Sequence, residues 1–351
     1  MAWIRALALL TVTWLAVAPA AAELALPPGF TAQVYVTGQG FDPSSERGVY
    51  GMPAVGTLGI DALGTLFLAR TGARFRSGEV EDMFPIYRIP PGGGRLTPDT
   101  EARYLTGPPL PNPQVAAARG RGEVFVTTYD RDRRIGALYR MIDGRPQLLA
   151  GGTPLGGAAP LLRHPEGVGF DAAGNIYVTD REQGVVVRLD RTGKVLDPRY
   201  LTVTRPRMLT VDERGQLWIG TDGSAETPWQ DGSGQLWRAS PDGSLAMVLA
   251  GPLPAGLGLS TGGGLFMAQR RTGKILAVTP DGRRFDFAVA PEGTIIRTLA
   301  FAPVTPETRR AGIAGDLFVV AVPRQIWAIN EVIRISGPFD EFVRQRESAA
   351  P

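Results

Sequence analysis

One imidazole, a few well-spaced carboxylates and many guanidiniums are the groups from which this chain can build chemistry. His164 is the single histidine and stands two residues before Glu166. Lysine occurs only at Lys194 and Lys274, so nearly all of the 37 basic residues are arginine. An imidazole titrating near neutrality suits a general base. Arginine forks read carboxylate or phosphate in bidentate fashion, and Glu and Asp oxygens suit a hard divalent cation. The absence of cysteine excludes disulfides, Cys-ligated zinc, iron–sulfur clusters, c-type haem and thiol catalysis, and one histidine excludes multi-histidine metal sites. With 34 acidic residues the formal charge is +3, and no block of five like charges marks a nucleic-acid footprint.

The elements that must position these groups are short strands. Glycine (45) and proline (30) are abundant and 44% of residues are hydrophobic, a composition for strands and turns around a real core. A tetrad of Gly, any residue, aliphatic, aromatic recurs at Gly64–Phe67, Gly122–Phe125, Gly174–Tyr177, Gly215–Trp218, Gly263–Phe266 and Gly315–Phe318. That spacing has the size of a propeller blade. A small-residue strand precedes each tetrad, as in Gly167–Asp171 and Met208–Asp212, and suits the narrow axis of a ring. The tetrad glycine makes the turn into a second strand, where positive φ is cheap. Third strands follow at Ile86–Arg88, Leu138–Arg140, Val186–Arg188, Leu236–Arg238, Ile275–Ala277 and Ile326–Ala328, and most units end in a fourth. The pattern predicts an all-β, six-bladed β-propeller with four-stranded antiparallel blades over residues 23–335, followed by a tail or short helix over 336–351. The opening strand Gln33–Gly38 is predicted to close the ring beside Gln325–Asn330; closure by Val332–Ile335 is the alternative.

Residues 1–22 read as a secretory signal: Arg5, an apolar run from Ala6 to Val17, Pro19, then Ala20-Ala21-Ala22 as a cleavage site. The expectation is a periplasmic or secreted protein with no membrane span after cleavage, a monomer that does not bind nucleic acid.

The segment His164-Pro165-Glu166-Gly167-Val168-Gly169-Phe170-Asp171 through Gly174-Asn175-Ile176-Tyr177-Val178-Thr179-Asp180 resembles an NHL repeat, and the other units match it more loosely. The resemblance implies the six-bladed superfamily of NHL-repeat, gluconolactonase-like and TolB-like propellers. The opening Leu26-Pro27-Pro28-Gly29-Phe30 with Val34-Tyr35 is similar to the start of exported pyrroloquinoline-quinone (PQQ) sugar or sorbosone dehydrogenases. Fold likeness alone does not give function.

In such a ring one face carries the starts of the first strands and the loops leaving the second strands. That places Glu166, Arg207 and Arg297 beside Arg70, Asp180, Arg181, Asp222, Arg270 and Arg324. Arginines gathered on one rim predict a small anionic or sugar-like ligand, or a protein partner, with catalysis not required. The long connectors 39–55, 70–84 and 221–234 lie on the same face and suit a lid or pocket wall. Two enzymatic alternatives follow from the resemblance. One is a PQQ-dependent sugar-type dehydrogenase, with His164 as base and Arg205, Arg207, Arg270 and Arg297 meeting the cofactor's carboxylates. The other is a metal-dependent lactonase or lyase using Glu166, although Arg207 and Ala255 replace the Asn and Asp that such a site carries next; Glu166 with Asp180 could hold Ca2+ of another design. Gly258-Leu259-Ser260-Thr261-Gly262 fits a nucleophile-elbow pattern, but it lies in a hairpin on the far face, where that pattern has no meaning.

Overall fold

The structure, a computed structural model, describes residues 24–38, 40–41, 49–50, 58–69, 73–74, 80–81, 83–97, 99–224, 233–251, 253–323 and 330–348. All six tetrad glycines take positive φ, between 72° and 84°, at the turn between first and second strands. In three of these turns the preceding Asp holds the loop: Asp61, Asp171 and Asp212 each accept the backbone N–H four residues on.

Five blades are plain four-stranded antiparallel sheets. Blade 3, for example, runs Pro165–Phe170, Ile176–Asp180, Val185–Leu189 and Val195–Thr202 from the axis outward. Neighbouring first strands approach so closely that side chains do not fit between them. A Cβ on Gly167 would lie 2.6 Å from the carbonyl oxygen of Arg207, and one on Gly256 would lie 2.7 Å from the amide nitrogen of Leu299. The six first strands enclose a central channel with a cavity of about 250 Å³.

The aromatic residue of each tetrad faces an arginine on the third strand in five blades. The pairs are Phe67–Arg88, Phe125–Arg140, Tyr177–Arg188, Trp218–Arg238 and Phe318–Arg334. In blade 5 the partner of Phe266 is Ala277. There the C-terminal helix (Phe339–Ser348) takes the arginine's place: the Phe339 ring meets Phe266 at 5.5 Å and 88°, and also meets Phe30 and Phe301 edge-on. The C-terminal segment is thus a helix whose Phe339, Phe342 and Val343 join the core of blades 5 and 6.

The N-terminal strand Thr31–Gly38 closes the ring, as its pattern predicts. Its partner differs from the expected Gln325–Asn330, of which residues 325–329 lie outside the described residues. The third strand of blade 6 is Glu331–Ser336, which pairs with both Leu317–Pro323 and Thr31–Gly38. This register sets Arg334 opposite Phe318 and gives it an ion pair with Asp316 at 2.5 Å. A short strand from blade 1, Gly94–Leu96, adds to the outer side in parallel, so blade 6 carries five strands. At the far end of blade 5, Ser260 Oγ donates to Asp340 Oδ1 at 2.5 Å and accepts from Gly264 N at 3.0 Å, so the serine braces a hairpin.

Candidate functional site

Two sets of equivalent positions meet at the head of the channel. The first lies three residues before the first-strand residue that pairs with each tetrad aromatic. It is occupied by Gln114, Glu166, Arg207, Ala255 and Arg297 in blades 2 to 6. The second lies seven residues beyond the tetrad glycine and holds Tyr129, Arg181, Asp222 and Arg270 in blades 2 to 5. In blades 3, 4 and 5 its backbone N–H closes the same hydrogen bond, to the carbonyl oxygens of His164, Arg205 and Leu253. The repeat therefore delivers one side chain per blade to each tier.

The side chains join across blade boundaries. Arg207 Nε donates to Glu166 Oε2, with both side chains buried. Asp222, fully buried, accepts from Arg181 Nε at 2.9 Å on one side and from Arg270 Nη2 at 2.6 Å on the other, with Arg207 Nη1 at 4.0 Å. Over Ala255, whose methyl offers no polar atom, Arg270 Nη2 also reaches the carbonyl oxygen of Pro254 at 3.3 Å. Thr127 and Thr179 donate from their hydroxyls to the carbonyl oxygens of Glu166 and Arg207, holding successive heads in place. His164 completes the cluster. Its Nε2 lies 3.6 Å from Glu166 Oε1, and its ring stacks on Tyr129 with centroids 4.1 Å apart and planes 4° from parallel.

Burial and charge act against each other here. Burial pushes the Glu166 carboxyl up, but Arg207, with help from His164, overcomes this and holds it below the usual range. Asp222 behaves likewise, burial being outweighed by Arg207, Arg270 and Arg181. For Arg270 and Arg297 burial comes first and the repulsion of neighbouring guanidiniums adds to it, bringing both to about 10. Arg207, Arg270 and Arg297 stay charged at neutral pH. His164 is held below its ordinary value by burial, with Arg181 and Arg207 adding to the effect and Glu166 and Asp180 opposing it. The imidazole is neutral at pH 7.

Of the residues predicted from sequence, the structure brings together His164, Glu166, Arg181, Arg207, Asp222, Arg270 and Arg297. Asp180 does not join them. Its Oδ2 accepts from the backbone N–H of Arg163 and His164 and its Oδ1 from that of Gln183, so it shapes the loop below His164. Arg205 also turns away, donating to the carbonyl oxygens of Gly223 and Ser224. Arg70 and Arg324, and most of the connectors 39–55, 70–84 and 221–234, lie outside the described residues. Among the described residues no three His, Asp or Glu side chains, Glu166 and Asp180 included, are grouped to hold a metal ion. Gln114 and Tyr129 were missed; a fixed offset from the repeated glycine would have found Tyr129.

Tetrads, blade order and ring closure define the class: a six-bladed β-propeller with a charged layer at one end of its channel. No protein family's sequence profile matches the chain, and no curated protein matches it. Solved structures do. The PQQ-bound form of aldose sugar dehydrogenase from Streptomyces coelicolor is 15% identical, covering 89% of this chain and 99% of that one, with a TM-score of 0.56. A chain of a nidogen/laminin complex is 17% identical over 79% of this chain and 95% of that one, TM-score 0.49. Virginiamycin B lyase from Staphylococcus aureus is 14% identical over 88% and 99%, TM-score 0.45. Likeness at these identities shows the fold and leaves the chemistry to the residues.

Proposed function

We propose that this propeller binds a small anion carrying two or more negative charges, a polycarboxylate or an acidic sugar derivative, at the head of its channel. The observation that carries this reading is the gathering of arginines at one end of the channel. The guanidiniums of Arg181, Arg207 and Arg270 pair there with the carboxylates of Glu166 and Asp222, and Arg297 lies within electrostatic reach of Glu166. Arginine forks read carboxylate and similar oxyanions in bidentate fashion, so a gathered set of them suits an incoming anion. The two carboxylates hold the forks in place beforehand, which lowers the cost of ordering them around a ligand. Export to the periplasm, with residues 1–22 removed, and action as a monomer are part of the same proposal; mass spectrometry of the processed protein should find Glu23 at its N-terminus.

Thermal shift on tag-free mature protein tests the reading with sulfate, citrate, glucuronate and PQQ, each with and without calcium. A ligand at a hundred times its Kd adds about 2.7 kcal/mol. At least one multivalent anion should raise Tm, and Arg181→Gln and Arg297→Gln should each remove the rise. Silence toward every anion overturns the proposal and favours a protein partner on this face.

A second reading has its own observation: His164 is a neutral imidazole beside the arginine layer, backed by Tyr129. The arginine forks of the layer suit a tricarboxylate such as PQQ, whose carboxylates Arg207, Arg270 and Arg297 would hold. Such a quinone supplies a two-electron acceptor. His164 would then take the proton from the substrate hydroxyl at Nε2, the task of a general base. A Tm rise with PQQ followed by dye reduction with sugars, lost in His164→Gln, would move this reading to first place.

A further inference from the structure

The connector from blade 2 to blade 3 departs from its counterparts. Each such connector leaves the outermost strand of one blade and crosses the arginine-bearing face to the innermost strand of the next. Four of them are brief, at 112–113, 203–205, 252–253 and 290–293. The fifth runs from Gly152 to His164, thirteen residues between strands that end at Gly151 and begin at Pro165. Both of its ends are fixed. Gly152 donates its N–H to the Gly136 carbonyl at 2.8 Å, Gln183 Nε2 donates to the Leu161 carbonyl at 2.8 Å, and Leu162 is fully buried. Among the described residues, no hydrogen bond joins 153–160 to the body of the propeller; the bond from Ala158 N–H to the Leu155 carbonyl stays within the segment. A Cβ on Gly156 or Gly157 at the tip would meet nothing within 4 Å, and Leu155 is 93% exposed. No charged residue stands between Arg145 and Arg163.

We propose that residues 153–160 are a lid that folds over the head of the channel when an anion occupies the arginine layer, with Leu155 seated on the hydrocarbon side of that ligand. The inference rests on the anion-binding reading above and narrows it: the ligand offers acid groups to the arginines and hydrocarbon surface to the leucine. Position supports this. The anchored end of the segment runs through Leu162 into His164 and Glu166, so the lid is hinged at the layer itself. Seven residues separate Leu155 from Leu162, and a chain of that length extends up to ~24 Å, a reach that takes in the layer at its foot. Composition supports it as well. An uncharged lid brings no competing ion to the guanidiniums, and by excluding water it strengthens their contact with a bound anion. A leucine at the tip adds apolar contact that a wholly hydrophilic ligand does not return.

The chain has no cysteine, so Ala158→Cys supplies a single thiol that takes a polarity-sensitive dye at the exposed tip. Two probes with three carboxylates each separate the parts of the ligand: benzene-1,3,5-tricarboxylate carries a ring and propane-1,2,3-tricarboxylate does not. Both are fully ionised at pH 8. Calorimetry on unlabelled protein should find the ring acid bound about tenfold more tightly, and the dye should shift to shorter wavelength as that acid binds. In Leu155→Ser, and in a chain with 153–160 replaced by Gly-Gly, the two acids should bind about equally. The shortened connector keeps seven residues, more than any of the other four takes, and an unchanged ligand-free Tm confirms that the ring is intact. A dye that stays silent while the ring acid saturates the site overturns the lid and leaves the anion site standing. So does a preference for the ring acid that survives the shortening. If neither acid binds the wild-type protein, the anion-binding reading falls and the lid falls with it.

Discussion

Arg207 of blade 4 donates from Nε to the Glu166 carboxylate of blade 3, and both side chains are less than a tenth exposed. This pair is the seam between two blades and the floor of the charged layer at once. Its two roles can be separated, because one concerns folding and the other concerns what the layer attracts.

Removing one partner of a buried pair leaves an uncompensated charge, which costs about 3–5 kcal/mol. Arg207→Met should lower stability by about that amount in urea titration. The double variant Glu166→Gln with Arg207→Met should recover a good part of it. A loss below about 1 kcal/mol for Arg207→Met would show that the pair is not sealing the seam.

The acid limb of stability follows from the same carboxylates. Glu166 and Asp222 have folded pKa values below their ordinary 4.5 and 3.8. Their contribution is therefore present above those values and is lost as the pH falls through the lower, folded ones. Glu166→Gln should flatten the fall in Tm below about pH 4.5, as read by calorimetry across the acid range. An unchanged acid limb would mean that other groups govern it.

His164 gives a second window of the same sign in the ligand-free protein. Its folded pKa lies below 6.5, so the unfolded chain binds more protons there and stability rises with pH up to about 6.5. Tm should decline as the pH drops below 6.5, and His164→Gln should remove that decline. A decline that persists in His164→Gln would assign it elsewhere.

The C-terminal helix holds the ring from outside. Phe339 is 4% exposed and contacts Phe30, Phe266, Phe287 and Phe301, so Phe339→Ala should cost about 3–5 kcal/mol. Leu155, at 93% exposure, serves as the control, and Leu155→Ala should leave stability within about 0.5 kcal/mol. Equal effects in a denaturation series would argue against the helix as a brace.

By itself, the order of residues determined the six turns, the blade count, the face that carries the arginines and the strand that closes the ring. Those features depend on local rules: glycine at positive φ, small residues at a crowded axis, and a period repeated along the chain. Tertiary structure alone decided which charges meet. Asp222 accepts from Arg181 and Arg270, residues 41 and 48 positions away in the chain, and only the curvature of the ring brings the three into a row. It also separated Asp180 from Glu166, since backbone N–H groups in the loop claimed the aspartate first. The sequence pattern puts the third strand of blade 6 at Ile326–Ala328 and the structure puts it at Glu331–Ser336, for a related reason. Residues 326–328 and 332–335 carry similar apolar patterns, and the choice is made by a partner strand that offers Phe318 and Asp316 to Arg334. Spacing along a chain encodes which side chains a blade presents, and the packing of one blade on the next decides which of them touch.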